Sequence, residues 1–170
     1  MTPVKVNVQS EIGRLKGVIL HTPGAEVENM TRCTAQRALY SDILNLSIAQ
    51  KEYSQLNGVL KKYTKTYQVK DLLKTVLDDR RQRDTLIRKI CNVENANDYF
   101  DALMEKNSTE LTTLVIEGLP AKIDTLTAYI KDEYYALCPL YNFYFTRDAS
   151  ASIGEDVLIC KMANQVRVRE

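Results

Sequence analysis

The carboxylate at position 148 is the side chain whose surroundings most suggest chemistry. Asp148 comes directly after Arg147, at the end of an aromatic-rich stretch (residues 141–145), and before a run of small residues (149–154). Strand ends are where α/β proteins display functional groups. A carboxylate there can hold a planar cation such as guanidinium through two parallel hydrogen bonds. The alternative interpretation is that Asp148 only pairs with Arg147 or caps a turn.

Three further polar side chains could take part in binding. Asn142 lies inside the aromatic stretch, where its amide could donate to and accept from a ligand, or could simply be an edge-strand or turn amide. Arg167 and Arg169 alternate with Val166 and Val168, which predicts that both arginines lie on one face of a strand. There they could clamp a carboxylate, although a solvated face is the simpler interpretation.

A complete nucleophilic machinery is hard to assemble from this sequence alone. The four cysteines lie far apart, without a CxxC spacing, and the single histidine is His21. This pattern disfavours disulfides and a zinc site, and a reactive thiol needs a base. We interpret His21 as a hydrogen-bonded structural residue at a strand end. Small buried hydrophobes are the expected role of all four cysteines, which are Cys33, Cys91, Cys138 and Cys160.

Composition narrows the class of partner. The 170 residues carry 23 Lys+Arg against 22 Asp+Glu, so no overall basic or acidic field marks a partner. No apolar run approaches the roughly 18 residues of a membrane span, and the first residues lack the apolar core of a secretory signal. Residues 61–83 hold eight Lys+Arg and three acids, which could meet phosphates, but a solvated helix face is the simpler interpretation. We expect neither a nucleic-acid nor a membrane partner.

Hydrophobic periodicity predicts an α/β framework with a helical insertion. Alternation over residues 4–8, an apolar run at 18–20 and a β-favouring stretch at 66–69 predict three strands. Helical spacing over 47–63, with Ser47 as the cap, predicts a helix between the last two strands. A short helix is also expected at 34–39.

The middle of the chain predicts several short helices. Within 70–106, two sets of apolar residues each lie on one helical face: Leu72, Leu73, Val76 and Leu77, then Leu86, Ile87 and Ile90. Further short helices are expected at 96–104, 108–118 and 121–131. Beyond Pro139, residues 141–145, 157–160 and 166–170 favour strands, the second of them buried. We therefore divide the chain into two framework segments, 1–69 and 136–170, and an inserted helical bundle, 70–135.

Five motifs in matching order and spacing resemble those of the arginine deiminases. The opening SEIGRLKGVILHTPG is similar to their S-E-x-G-x-L-[KR]-x-V start, and ALYSD and IAQKE resemble their L-L-F-D-D and x-A-Q-x-E-H segments. PLYNFYFTRD (139–148) is similar to their P-x-P-N-L-Y-F-T-R-D signature, and residues 167–170 fit their R-x-R-E. Four residues depart from the pattern: Ser41, Tyr141, and the Ala149-Ser150 pair that replaces Pro-Phe.

This resemblance carries expectations about fold and function. It implies a partial α/β propeller, formed by the first one or two ββαβ-type blades and carrying the helical bundle. It also implies a cytoplasmic, homo-oligomeric hydrolase that converts L-arginine to L-citrulline and ammonia through a cysteine-bound intermediate, without metal or cofactor. The family's nucleophilic cysteine, catalytic histidine and second guanidinium carboxylate lie beyond residue 170, so the chain alone is expected to be inactive.

Individual roles carry over by position. Asp148 matches the first guanidinium-binding carboxylate, which makes it the catalytic candidate, and Arg147 would orient it. Asn142 matches a residue that lines the arginine pocket, Arg167 an arginine that binds the substrate α-carboxylate, and Leu39 a residue whose carbonyl meets the α-amino end. Two alternatives stay open: an amidinotransferase-like or peptidyl-arginine deiminase enzyme, and a non-catalytic arginine-binding or interaction protein.

Overall fold

A computed structural model describes residues 5–30, 40, 44–122 and 134–170. The first part contains strand β1 (Gly17–Leu20), helix α1 (Ala25–Glu28), helix α2 (Leu46–Tyr63) and strand β2 (Lys65–Gln68). The middle holds α3 (Val69–Asp78), α4 (Arg80–Glu94), a 3₁₀ turn (Asn97–Tyr99), α5 (Phe100–Met104) and α6 (Ser108–Glu117). The last part holds strands β3 (Leu119–Pro120), β4 (Tyr135–Leu137), β5 (Ser150–Ile153) and β6 (Asp156–Ile159), then a 3₁₀ turn (Gln165–Arg167).

Strands β1 and β2 pair in parallel, from Gly17 opposite Lys65 to Leu20 opposite Gln68. A parallel pair needs a crossover connection, and α2 lies on the one between them. Helix α2 begins at Asn45, whose side chain accepts a hydrogen bond from the Ile48 backbone N–H; the predicted cap, Ser47, was therefore wrong by two positions. None of the side chains of α2 is buried, so in this chain the helix positions β2 without adding to a core.

The hydrophobic core lies among the helices of the middle segment. Helices α3, α4, α5 and α6 contribute the buried residues Leu77, Ile87, Ile90, Cys91, Leu103, Leu111 and Val115. Asp79 caps α4 by accepting from the Arg81 and Gln82 backbone N–H groups, and Asn95 ends it in the left-handed conformation with φ 56°. Leu137 of β4 belongs to the same core, which ties the following segment to the helices.

The predicted helices over 47–63, 96–104 and 108–118 are confirmed within a few residues, although a 3₁₀ turn replaces the start of the second. The two helical faces predicted within 70–106 are also confirmed, since their residues lie in α3 and α4. Strands at 18–20 and 66–69 are also confirmed, as β1 and β2. The helix expected at 34–39 and most of the one expected at 121–131 lie outside the described residues.

Three strand predictions were wrong. Residues 141–145 form consecutive turns, with backbone hydrogen bonds from Phe143 N to Leu140 O and from Phe145 N to Asn142 O. Residues 166–170 form a 3₁₀ turn and a further turn. Over residues 5–8, only Val8 makes a bridge, to Gly154.

The predicted strand at 157–160 exists as β6, but it is exposed rather than buried. It pairs antiparallel with β5, which forms in the stretch that the sequence indicated as a small-residue loop. Gly154, with φ 60°, makes the tight connection. The three sheets have two strands each among the described residues, and the propeller architecture and the division into segments stay predictions.

Candidate functional site

Three charged side chains meet where the turn that ends at residue 148 faces the end of the chain. The Arg167 Nη1 donates to Asp148 Oδ2 at 2.9 Å. Its Nε donates to Glu170 Oε2 at 2.7 Å, and its Nη2 lies 2.6 Å from the same oxygen. Arg167 therefore lies between two carboxylates, and the cluster carries one more negative than positive charge when all three groups are ionised.

Successive tight turns bring these groups together. Asp148 ends the turn series of the aromatic segment, since its backbone N–H donates to the Phe145 carbonyl at 3.1 Å. Asn164 starts the second series, because its carbonyl accepts from the Arg167 N–H at 3.0 Å. The Glu170 N–H then donates to the Arg167 carbonyl at 3.0 Å, and this three-residue spacing places the two side chains side by side.

The cluster is asymmetric in burial. The side chain of Glu170 is 3% exposed and that of Arg167 is 13% exposed, whereas Asp148 is 47% exposed. Burial raises the pKa of Glu170, while Arg167 and the Asn142 backbone act to lower it. Burial lowers the pKa of Arg167, but the two carboxylates outweigh this and the pKa is raised. Arg167 thus stays charged, and Glu170 Oε1 has no hydrogen-bond partner among the described residues.

A small cavity of about 100 Å³ lies beside the cluster, with Glu170 in its wall. The other lining residues are mostly apolar: Ile19, Val69, Phe143, Phe145, Thr146 and Ala149. A buried carboxylate in an apolar wall favours contact with a cation or a hydrogen-bond donor, because an isolated charge is costly to bury.

Two tyrosines and Asn142 flank the cluster. Asn142 is buried at 4% exposure. The Tyr40 hydroxyl lies 2.8 Å from the Tyr144 hydroxyl and 3.1 Å from the Tyr141 carbonyl. Burial is the largest cause of the raised pKa of both phenols, which stay protonated at neutral pH. These groups can offer neutral hydrogen bonds next to the charged cluster.

The predicted site residues separate into two groups. Asp148 and Arg167 are in contact, and Asn142 touches their cluster through its backbone. Arg147 makes its ion pair with Glu11 at 2.8 Å on the surface, so the side chain that holds Asp148 is Arg167 rather than Arg147. Leu39 lies outside the described residues.

The two arginines predicted to share a strand face have different partners. Because residues 165–170 are turns, Arg169 points away from Arg167: its Nε lies 2.7 Å from Glu94 on α4, and its Nη2 donates to the Cys138 carbonyl. Sequence reasoning assigned no role to Glu170 or Tyr40. The R-x-R-E match contained Glu170, but only a turn with three-residue spacing would have indicated its contact with Arg167.

His21 takes the structural position expected for it. Its Nε2 lies 2.9 Å from Glu26 Oε1, and both side chains are almost fully buried. Cys91 is buried in the helical core, where burial raises its pKa, but Cys138 and Cys160 are exposed, so the buried prediction was wrong for these two. Cys33 lies outside the described residues.

Among the residues placed by the structure, no three His, Cys, Asp or Glu side chains form a group suited to a metal ion. No helix there is both long and apolar enough to cross a membrane.

Comparison with known proteins gives consistent matches. The family model described as "Arginine deiminase" matches residues 36–170. The chain is 35% identical over 179 residues to an arginine deiminase of Pediococcus pentosaceus and 33% identical to those of Borrelia garinii subsp. bavariensis and Lactococcus lactis subsp. lactis. Each match covers 97% of this chain and 44% of the relative, so the chain spans less than half the length of these relatives.

Proposed function

The chain belongs to the arginine deiminase family, and we propose that the complete protein hydrolyses L-arginine to L-citrulline and ammonia. The contact of Arg167 with Asp148 is the observation that carries this proposal. It brings together an anionic group suited to a guanidinium and a cationic group suited to a carboxylate, the two ends of free arginine.

The described residues account for binding and orientation. Asp148, on the exposed side of the cluster, would hold the substrate guanidinium and so orient its carbon for attack. Arg167, kept charged by its two carboxylates, would bind the α-carboxylate. The buried Asn142 and the hydrogen-bonded pair of Tyr40 and Tyr144 would line the other side of the substrate site.

The bond-breaking groups are proposed to lie elsewhere in the complete protein. A cysteine thiolate would attack the guanidinium carbon, ammonia would leave with a proton from a histidine, and water would release citrulline from the cysteine. Within the described residues, Cys91 is unsuited to this role because burial raises its thiol pKa and favours the neutral form. We therefore propose that the 170-residue chain alone does not turn over arginine.

Family membership also underlies three coarser proposals. We propose α/β-propeller blades carrying the helical segment, supported by the parallel β1–β2 pair with a helix on its crossover. A homo-oligomer is supported by exposed apolar side chains on the β5–β6 hairpin, such as Leu158 and Ile159. A cytoplasmic, cofactor-free enzyme follows from the family resemblance alone.

The test is an activity assay with matched variants. The complete protein should release citrulline and ammonium in equal amounts from L-arginine, but not from agmatine or a peptidyl arginine. Asp148→Asn should abolish the release, whereas Glu105→Gln, which changes an exposed carboxylate in the turn directly after α5, should leave it unchanged. Activity on peptidyl arginine but not on the free amino acid would reject the proposal, and citrulline formed by the pure chain would reject its inactivity.

A further inference from the structure

In this structure Asp148 already holds a guanidinium, and that group comes from the chain itself. The Arg167 Nη1 donates to Oδ2, one of the two oxygens that a bidentate grip on a substrate guanidinium requires. Two guanidinium groups on one carboxylate also repel each other. A guanidino ligand that grips both oxygens of Asp148 therefore competes with Arg167, and we expect it to displace Arg167 from this contact.

We propose that Glu170 is the positioning residue that holds Arg167 when this displacement occurs, so that Arg167 is released from Asp148 but remains in the site to bind the ligand's carboxylate. The proposal rests on the function proposed above. It adds a role for Glu170, a carboxylate that sequence reasoning left unassigned. It also implies that the Arg167–Asp148 pair favours guanidino ligands that carry a carboxylate over those that do not.

The geometry of the Arg167 guanidinium supports separate roles for Glu170, which anchors it, and Asp148, which releases it. The Arg167 Nε donates to Glu170 Oε2 at 2.7 Å, and Nη2 lies 2.6 Å from the same oxygen as an ion pair, so this edge of the guanidinium faces Glu170. Nη1 alone reaches Asp148. Breaking the Nη1 contact leaves the Glu170 contacts intact, and the arginine can pivot without leaving the site.

Burial decides which of the two contacts is exchanged. Glu170 is almost fully buried, whereas nearly half of the Asp148 side chain is exposed. Solvent screens the Asp148 contact and can replace it, whereas an opened Glu170 contact would leave a buried charge unpaired. The Asp148 contact therefore opens first.

This arrangement discriminates between ligands. Methylguanidine would have to displace Arg167 from Asp148, but it has no carboxylate that could accept a hydrogen bond from the released Nη1. L-arginine would displace it too, but its carboxylate would replace Asp148 as the partner of Nη1. An extended L-arginine can engage both residues only after they separate, because several bonds lie between its two charged ends.

The first experiment measures binding to this chain by titration calorimetry, with L-arginine and methylguanidine as probes. Glu170→Gln should weaken L-arginine binding about tenfold, the loss of one charge-assisted contact, and leave methylguanidine binding nearly unchanged. Asp148→Asn should weaken both ligands, and the control Glu105→Gln neither. Equal weakening of both ligands by Glu170→Gln, or no weakening of either, would overturn the positioning role.

Arg167→Lys provides a second variant if Glu170→Gln folds poorly. A lysine keeps the charge but cannot chelate Glu170 while reaching Asp148. It should therefore weaken L-arginine binding and improve methylguanidine binding. Weakening of both ligands would contradict the displacement step.

A ligand-free measurement separates this inference from the proposed function. In nitrogen-15 NMR spectra, the Arg167 Nε–H should exchange slowly with water in the unmodified chain and in Asp148→Asn, but rapidly in Glu170→Gln. The reverse pattern would identify Asp148 as the anchor and overturn the proposal. If the chain binds neither probe, the proposed arginine site fails for this chain, and the exchange rates still decide which carboxylate anchors Arg167.

Discussion

The ion pair between Glu94 and Arg169 should contribute strongly to stability. Arg169 is 5% exposed and Glu94 is 18% exposed, with 2.7 Å between the Arg169 Nε and the Glu94 carboxylate. In the sequence Arg169 lies between two of the three residues of the charged cluster, Arg167 and Glu170, and Glu94 belongs to the last turn of α4. The pair therefore joins the candidate site to the helical core.

Glu94→Gln removes the compensating charge but keeps the size of the side chain. Burial lowers the pKa of Arg169, and Glu94 acts to raise it, as expected for a buried cation with one anionic partner. Leaving one member of a buried pair uncompensated costs about 3–5 kcal/mol, and the partial exposure of Glu94 favours the lower end. A loss of about 3 kcal/mol corresponds to a Tm decrease of roughly 6–12 °C for a domain of this size.

Urea and thermal unfolding followed by circular dichroism measure this loss. The matched control is Glu155→Gln, which breaks the exposed pair with Lys5 (60% and 75% exposed) and should cost less than about 1 kcal/mol. The double variant Glu94→Gln/Arg169→Met should recover much of the loss, because no buried charge remains. If Glu94→Gln costs no more than Glu155→Gln, the Arg169 charge is not held by Glu94 and the reasoning is refuted.

Three further outcomes are expected. Burial raises the folded-state pKa of Glu170 above its ordinary value of 4.5. The contribution of this group to stability is therefore present below pH 4.5 and is lost as pH rises through the folded-state pKa, so the stability of the unmodified chain relative to Glu170→Gln should fall as pH rises through this range. A rise in relative stability, measured by urea titration, would contradict this prediction. Gly118→Ala should destabilise the chain by about 1–3 kcal/mol, since Gly118 has φ +96° and a Cβ there would lie 2.9 Å from a proline ring carbon. The matched change Gly58→Ala, in open space on α2, should stabilise it by about 0.5–1 kcal/mol; equal effects in thermal melts would show that neither backbone argument holds. Leu158→Lys/Ile159→Lys on the exposed hairpin should lower self-association of the chain in size-exclusion chromatography with light scattering, and an unchanged mass distribution would exclude this face as the contact.

The helices were the part of the fold that local pattern predicted best. Residues such as Leu77, Ile87 and Ile90 recur at helical spacing in a segment without proline or glycine, and they form the core. A helix satisfies its backbone hydrogen bonds within one segment, so its periodicity and caps carry most of the information. The cap of α2 was misplaced because Asn45 and Ser47 are both suitable capping residues, and in the structure Asn45 has the extended backbone of a cap while Ser47 is already helical.

The strands and turns around the site were predicted less well. The aromatic segment 141–145 has high strand propensity, but among the described residues no neighbouring strand pairs with it. Its backbone bonds close locally instead, as turns. The identity of Asp148, Asn142 and Arg167 as candidates came from the sequence, but the contact between Asp148 and Arg167 did not.

The amino-acid sequence by itself determined the family, the helical core and the types of side chain available for a guanidino ligand, because motif order, periodicity and residue chemistry are properties of the linear chain. Only the tertiary structure decided which charges meet. The turns at 148 and at 165–170 bring Arg167 between Asp148 and Glu170 and direct Arg169 to Glu94. Ion pairing between distant residues depends on chain geometry in three dimensions, and a carboxylate becomes an anchor or an exchangeable partner according to how deeply the fold buries it.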